Sequence, residues 1–162
     1  MIIRRYSPED CKNIVMLFCD TVHSINSKDY TELQTDAWAS RNTDLERWNT
    51  KLLGNYTVVV EKDNIVVGFG DIDGSGYFDH LFTHKDYQGQ GIATLIVQKI
   101  ENYSKSEGFQ VITTDASITA KPFFEKRGYV IQKAQTVEVR GQQLNNFRMK
   151  KYLNDINIKN FF

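Results

Sequence analysis

Apolar residues recur along the first part of the chain with the period of a helix. The segment after Ser7 places them at helical spacing on one face, and they are Cys11, Ile14, Val15, Phe18 and Val22. Ser7-Pro8-Glu9-Asp10 supplies an N-cap, a proline at the first helical position and acids in the first turn. A helix is therefore predicted here, after a short strand at residues 2–6.

The pattern is weaker over residues 27–53, where two short helices are predicted. One holds Tyr30, Leu33, Ala37 and Trp38, and the other holds Leu45, Trp48 and Leu52. β-Branched residues then dominate and predict strands at 56–61 and 65–72, and a further strand is predicted at 77–83 after the next turn. The turns between them are Lys62-Asp63-Asn64 and Asp73-Gly74-Ser75-Gly76.

Helices and strands alternate in the rest of the chain. A long helix from about residue 91 to 107 is predicted to end at Gly108, with a buried face of Ile92, Leu95, Ile96, Ile100 and Tyr103. A short strand at 111–114, a helix at 119–127 and strands at 129–139 and 144–151 follow. This order predicts an α/β (α+β) fold, a mixed sheet with helices on both faces. One domain is expected over residues 1–162, with a loosely held tail at 154–162.

Composition and charge exclude several classes of protein. The formal net charge is zero, which offers no electrostatic footprint for nucleic acid or an anionic membrane. No apolar run approaches the roughly 20 residues of a membrane helix, and the first residues do not resemble a secretory leader. Cys11 and Cys19 are expected to be reduced thiols in a cytoplasmic protein. The three histidines form no known ligand pattern, so no metal is expected.

One loop indicates a ligand. The strand at 77–83 leads into Gln88-Gly89-Gln90-Gly91-Ile92-Ala93, which opens the long helix. Two glycines at a helix start let backbone N–H groups approach an anion, and the helix dipole adds about 0.3–1 kcal/mol per negative charge. The loop therefore predicts a phosphate or pyrophosphate site. A Walker A loop is excluded because Ile92 follows Gly91, and a Rossmann fingerprint breaks at Thr94.

Two motifs resemble those of a known superfamily. Residues 88–93 fit the GNAT (Gcn5-related N-acetyltransferase) signature: glutamine or arginine, two free positions, glycine, one free position, then glycine or alanine. The later stretch Ala120-Lys121-Pro122-Phe123-Phe124-Glu125-Lys126-Arg127-Gly128-Tyr129 resembles the alanine, three positions, tyrosine, Glu-Lys, one position, Gly-Phe/Tyr pattern of that family. The chain is similar to small bacterial-type members over about residues 2–152. The resemblance implies a GNAT fold, whose twisted, mostly antiparallel sheet has six to seven strands.

The same resemblance implies acetyl-CoA as co-substrate, without a metal. The pantetheine arm would pair like an extra strand with the backbone of Leu81, Phe82 and Thr83. The pyrophosphate would lie on the amides of Gln88, Gly89, Gln90, Gly91, Ile92, Ala93 and Thr94. Further contacts are expected from Ser117, where the family often has asparagine, and from Phe124. Lys121 or Arg127 would either reach the ribose phosphate or remain solvated.

The implied reaction needs a general base, because an alkylammonium must lose a proton before its nitrogen attacks the thioester. The family often places this base two or four residues before the Leu81 position, which here means Asp79 or Tyr77. Asp79 is the first candidate and His80 the second. Alternation predicts Tyr77, Asp79 and Leu81 on one face of the strand, with His80 and Phe82 on the other, unless a bulge intervenes.

The general acid of the family is missing. The tyrosine that often protonates the departing thiolate corresponds to Phe124, which has no proton to give. Tyr129 is a substitute, with a packed core position as its alternative, and water is a third source of the proton. This departure leaves open a non-catalytic acyl-CoA sensor or partner-binding module on the same fold.

The acceptor is expected to be a small-molecule amine, a protein N-terminus or a lysine. The segment after the first helix should contact it, and its candidate residues are His23, Asp29, Tyr30, Trp38 and Trp48. The tryptophans fit a core position better, which leaves Asp29 and Tyr30 for the pocket. Members of this family often dimerise, so a homodimer and a monomer both stay open.

Overall fold

The computed structural model describes residues 1–153, so the predicted tail at 154–162 lies outside the described part. The strands are β1 (Ile2–Arg5), β2 (Tyr56–Lys62), β3 (Ile65–Ile72), β4 (Tyr77–Thr83), β5 (Val111–Ser117), β6 (Val130–Val139) and β7 (Gln142–Tyr152). The helices are α1 (Cys11–Ser24), α2 (Glu32–Trp38), α3 (Leu45–Gly54), α4 (Ile92–Ser106) and α5 (Lys121–Lys126). The predicted order of helices and strands is confirmed.

The strands form one mixed sheet in the order β1-β2-β3-β4-β5-β7-β6. Neighbouring strands are antiparallel except β4 and β5, which are parallel. That parallel pair spans only Tyr77↔Thr113 and Phe78↔Thr114. The remaining residues of β4, up to Thr83, are therefore not paired with β5, and the sheet opens between these two strands.

Helices cover both faces of the sheet. Strand β2 shows the alternation that produces two cores: Val58 and Val60 pack beneath α4, whereas Val59 packs with α1 and α3 on the opposite face. Gly68 on β3 allows a close approach of α4, because a Cβ there would lie 2.5 Å from Cγ2 of Ile92. The sheet therefore holds its central strands between two apolar layers.

The predicted buried face of α4 is wrong at one residue. Leu95 is 36% exposed, whereas Val97 and Glu101 are buried. The buried arc turns toward Glu101 because its carboxylate accepts hydrogen bonds from Tyr129, just before β6, and from Lys151 on β7. This arc could not be read from the spacing of apolar residues, since one of its members is charged.

The remaining composition-based expectations concern membranes and thiols. No helix within residues 1–153 has both the length and the apolar character of a membrane span. Cys11 and Cys19 are free and buried, as predicted.

Candidate active site

A cleft of about 650 Å³ lies where β4 and β5 diverge. It follows β4 from the glycine loop at the start of α4 to Asp79 and His80. Its lining includes most of the predicted site residues, namely Asp79, His80, Leu81, Phe82, Thr83, Gln88, Gly89, Gly91, Ile92, Ala93, Thr94, Ser117 and Phe124. The fold thus brings into one cavity residues that the sequence separates by up to 45 positions.

The loop before α4 presents unpaired amides to this cleft. Gly91 is the N-cap of α4 with φ +79°, and Gly89 has φ +72°. Within residues 1–153, no carbonyl or side chain accepts a hydrogen bond from the N–H groups of 88–94. A Cβ added to either glycine would meet no protein atom within 4 Å. This is the arrangement that binds phosphate at a helix N-terminus.

The two glutamines of the loop have different roles. Gln88 Nε2 donates to the carbonyl oxygens of Thr83 at 2.8 Å and His84 at 3.3 Å, and so braces the loop against the end of β4. Gln90 accepts a hydrogen bond from Lys62 Nζ at 3.0 Å and does not line the cleft. Only its backbone amide remains available for the predicted contact.

The backbone of β4 faces the cleft at alternate residues. Thr83 lies opposite Gly68 while the His84 N–H donates to the Val67 carbonyl, which is the pattern around a non-hydrogen-bonded antiparallel pair. The main-chain groups of Leu81 and Thr83 therefore point away from β3 and into the opening. Those of Phe82 point toward β3, and because Phe82 still lines the cleft, its contact with the pantetheine arm stays a prediction.

A bulge at Asp79 resets the alternation of β4. Asp71 lies opposite His80 and Ile72 opposite Phe78, which leaves Asp79 as the extra residue. Phe78 and Leu81 consequently pack in the same core beneath α4. The predicted grouping of Leu81 with Asp79 and Tyr77 is therefore wrong, for the reason that the prediction itself named.

A buried carboxylate holds His80. The Asp71 side chain is fully buried, and its Oδ1 lies 2.8 Å from His80 Nδ1 and 3.0 Å from the His80 backbone nitrogen. Asn55 Nδ2 donates to Asp71 Oδ2 at 2.9 Å. Burial alone would lower the pKa of His80, but the Asp71 carboxylate raises it above its ordinary value. Burial would likewise raise the pKa of Asp71, yet His80 and Asn55 lower it.

Asp79 pairs with a lysine. Its carboxylate forms a salt bridge with Lys51 of α3, and Oδ2 lies 3.9 Å from His80 Nδ1. Ligand atoms of Asp71, Asp79 and His80 lie within 4.8 Å of one another, a grouping that also suits a cation. The Lys51 ammonium and the His80 imidazole already pair with these carboxylates. The absence of a metal stays a prediction.

Tyr30 lines the cleft and bridges several segments around it. The Tyr30 hydroxyl donates to the Asn145 carbonyl at 2.6 Å and accepts from the Ile118 N–H at 2.9 Å. Its ring packs against Trp38, with 5.4 Å between centroids, and both residues line the cleft. Burial raises the pKa of Tyr30. Tyr30 therefore joins the segment before α2 to β7 and to the loop after β5.

The other acceptor candidates lie outside the cleft lining. His23 Nε2 lies 2.9 Å from the Ala39 carbonyl, and Asp29 accepts a hydrogen bond from Thr119. Trp48 packs on His80 with 5.0 Å between ring centroids. The core position expected for Trp48 is thus observed, whereas Trp38 both packs and lines the cleft.

Tyr77 and Asp115 form a second polar group in the cleft. The Tyr77 hydroxyl donates to Asp115 Oδ2 at 3.1 Å, and Arg148 pairs with the same carboxylate at 2.9 Å. Burial raises the pKa of Tyr77, and the charge of Asp115 raises it further. A phenol with a raised pKa beside a paired carboxylate is poorly suited to act as the base.

Tyr129 and the basic residues of the second motif do not reach the cleft. Tyr129 is 2% exposed and donates to Glu101, which argues against a proton-donor role. Lys121 pairs with Glu125, and Arg127 lies 3.6 Å from Glu101.

Ser117 and Phe124, by contrast, line the cleft. Ser117 Oγ accepts from the Ala120 N–H at 3.0 Å, and Phe124 packs against Phe78 and Tyr129. The end of the cleft near α5 is therefore defined mainly by packing.

Sequence reasoning missed Asp71 and Lys51. An acid inside the apolar strand 65–72 is the one signal that pointed to Asp71, since a buried carboxylate requires a partner. Lys51 had no such signal, because a lysine on an exposed helix face is ordinary.

The chain is similar in sequence and structure to several known proteins. Residues 26–153 match a family model described as an acetyltransferase (GNAT) domain. YafP of Escherichia coli K12, an uncharacterized N-acetyltransferase, is 37% identical over 149 residues, which cover 91% of this chain and 93% of YafP. A GCN5-related N-acetyltransferase from Rhodopseudomonas palustris is 33% identical with a TM-score of 0.90, over 93% of this chain and 94% of that one.

A more distant structure shares the fold. The yncA protein of Salmonella typhimurium, solved with its cofactor acetyl-CoA, has a TM-score of 0.70 at 20% identity. The match covers 96% of this chain and 95% of that one.

Proposed function

Because the chain belongs to the GNAT family of acetyltransferases, we propose that it is an acyl-CoA-dependent N-acetyltransferase. It moves the acetyl group of acetyl-CoA to a primary amine by direct transfer in a ternary complex. The acceptor is a small-molecule amine, a protein N-terminus or a lysine. The observation that carries the proposal is the single cleft that joins unpaired amides at 88–94 to the titratable pair Asp79 and His80.

The binding of acetyl-CoA follows from groups that have no partner within residues 1–153. The diphosphate lies on the amides before α4, where the helix dipole and the left-handed glycines favour an anion. The pantetheine arm adds a strand to β4 through the main chain of Leu81 and the N–H of Thr83. The Thr83 carbonyl is less available, because it already accepts from Thr21 and Gln88.

The chemistry takes place toward the other end of β4. At about 3.3 Å per residue, Asp79 lies roughly 13 Å along the strand from Thr83. A base there removes the proton from the acceptor ammonium, and the neutral nitrogen attacks the thioester carbonyl carbon. The Leu81 N–H points into the opening nearby and stabilises the negative charge that develops on the carbonyl oxygen. The C–S bond then breaks.

The departing thiolate takes its proton from water in this proposal. Phe124 lines the cleft without an ionisable group, and Tyr129 is bound to Glu101 in the core. A thiolate needs no strong acid for its protonation, because even a cysteine thiol, with a reference pKa of about 8.5, is mostly protonated in water at neutral pH. The absence of a tyrosine at 124 therefore does not require a non-catalytic protein.

An amine panel tests the proposal. Acetyl-CoA at 100 times its Kd should add about 2.7 kcal/mol of stability, while ATP and NAD at the same concentrations should add none. Free thiol should then appear with at least one amine class among polyamines, aminoglycosides, amino acids and peptides. Stabilisation by acetyl-CoA without thiol release from any amine would support the sensor instead. No stabilisation by acetyl-CoA would refute both.

A further inference from the structure

We propose that His80 rather than Asp79 is the general base, and that the buried Asp71 is the positioning residue that directs it. This inference rests on the proposed function, because it assigns residues to the deprotonation of the acceptor ammonium. From the sequence, Asp79 is the first candidate for the base and His80 the second. The contacts of the two side chains in the structure favour His80.

Asp79 is poorly placed to take a proton. Its carboxylate already binds the Lys51 ammonium in a salt bridge, so its oxygen atoms are occupied by a cation of the protein itself. Its place on the bulge puts it at the surface of the cleft, where it suits the attraction of a second ammonium. Asp79 is thus better placed to attract the acceptor than to deprotonate it.

The hydrogen bond from His80 to Asp71 determines which ring nitrogen is basic. Nδ1 lies 2.8 Å from Asp71 Oδ1, so Nδ1 carries the proton in neutral imidazole and Nε2 holds the lone pair. Within residues 1–153, Nε2 has no hydrogen-bond partner, and His80 lines the cleft. The ring is held from the sides by Trp48 at 5.0 Å and Phe69 at 5.8 Å between centroids. A fixed ring with a free Nε2 is what a base requires.

The burial of the Asp71 carboxylate has a cost in folding free energy. It is fully buried on a central strand, and the strand register shifts beside it so that the His80 backbone N–H also reaches its carboxylate. Burying a carboxylate costs stability unless it is paired and hydrogen-bonded. Asp71 is satisfied by His80 and Asn55 and contributes no group to the cleft surface, which fits a residue that acts through His80.

The pH dependence follows from the charges that face His80. These are Asp71 on β3, Asp79 on β4 and Lys51 on α3, while α1 contributes the uncharged Phe18. The two acids raise the pKa of His80, and burial and Lys51 lower it. Because the neutral imidazole is the active form, kcat should rise with pH through a pKa above the ordinary 6.5.

Two measurements test the assignment. The first is the pH dependence of kcat with a responsive amine at saturating substrates. His80→Gln should lower kcat by about 10²–10⁴-fold, as expected for loss of a base. It should also remove the fall of kcat at low pH, which is the acidic limb of the pH profile. Asp71→Asn should lower kcat and move the limb to lower pH by about one unit or more, because the nearby negative charge is lost. Asp79→Asn should keep the limb, moved to lower pH because a second negative charge near His80 is lost, and should raise the KM for the amine.

The matched control is Asp10→Asn. Asp10 is also a buried carboxylate, paired with Arg4 outside the cleft. This variant should lose stability without moving the acidic limb. A limb that moves equally in Asp10→Asn and Asp71→Asn would show a merely structural role for Asp71 and overturn its assignment. Loss of the limb in Asp79→Asn, with its retention in His80→Gln, would make Asp79 the base.

The second measurement needs no activity and no variant of Asp71. ¹⁵N NMR of the imidazole rings in the unmodified protein should show His80, identified by its loss in His80→Gln, as the Nδ1–H tautomer at high pH. His23 and His84 serve as internal references. An Nε2–H tautomer would refute the proposal even if Asp71→Asn does not fold. Failure of the proposed function would appear separately, as no thiol release from the wild-type protein.

Discussion

Two glycines at opposite ends of α4 allow the proposed binding of the diphosphate to be tested separately from backbone strain. Gly91 at the start has φ +79°, and Gly108 after the end has φ +80°. Neither would bring an added Cβ within 4 Å of another residue. Substitution by alanine should therefore cost each variant a similar amount, about 1–2 kcal/mol for a left-handed non-glycine residue.

Only Gly91→Ala should also lose affinity for acetyl-CoA. The methyl group of the new alanine projects into the open space where the diphosphate is proposed to bind. If residue 91 leaves the left-handed conformation to relieve its strain, the backbone N–H groups of the loop turn away from that space. A hydrogen bond to a charged group contributes about 1.5–3 kcal/mol. At 1.36 kcal/mol per factor of ten, its loss corresponds to an increase in Kd of about 10- to 150-fold.

Calorimetric titration with acetyl-CoA measures the Kd of both variants, and thermal unfolding measures their stability. The melting temperature should fall by about 2–8 °C in each, from 2–4 °C per kcal/mol at this chain length. Equal Kd values for Gly91→Ala, Gly108→Ala and the wild type would refute the assignment of the loop to the diphosphate. A loss of affinity in Gly108→Ala as large as in Gly91→Ala would refute a local effect.

Three further outcomes follow from single contacts. Tyr30→Phe should lower the free energy of unfolding by about 1–3 kcal/mol, measured in urea, because the hydroxyl satisfies one main-chain donor and one acceptor. Tyr129→Phe should leave the pH profile of kcat unchanged, since its hydroxyl binds Glu101 in the core; a lost basic limb would contradict this. Burial opposes ionisation of Asp10, but Arg4 lowers its pKa below the ordinary 3.8. Its stabilisation is therefore present above that pH and lost as the pH falls through the folded-state pKa, and unfolding of Asp10→Asn should depend less on pH there.

The glycine loop before α4 and most of the secondary structure could be predicted from local sequence. Strand 77–83 has the predicted bounds, and the glycines at 89 and 91 adopt the left-handed conformations that the loop needs. Both features depend on the conformational preferences of neighbouring residues. The buried face of α4 could not be predicted as well, because Tyr129 just before β6 and Lys151 on β7 hold Glu101 in a buried position, whereas Leu95 is exposed.

The candidate base shows where local reasoning ends. Sequence alternation along β4 assumes an unbroken ladder, whereas the bulge at Asp79 arises from the register between β3 and β4. His80 contacts Asp71, which lies nine residues earlier in the chain. Its neighbour Asp79 pairs with Lys51 of helix α3. Neither Asp71 nor Lys51 belongs to a motif.

Residue types and short spacings along the chain were enough to identify the family, the glycine loop and the candidate residues for proton transfer. Only the folded arrangement shows which of those residues share a cleft and which are engaged in other contacts. Tyr30, for example, meets partners 88 and 115 positions away. Such contacts depend on how the strands pair and the helices pack, and the free energy of that packing is distributed over the whole chain.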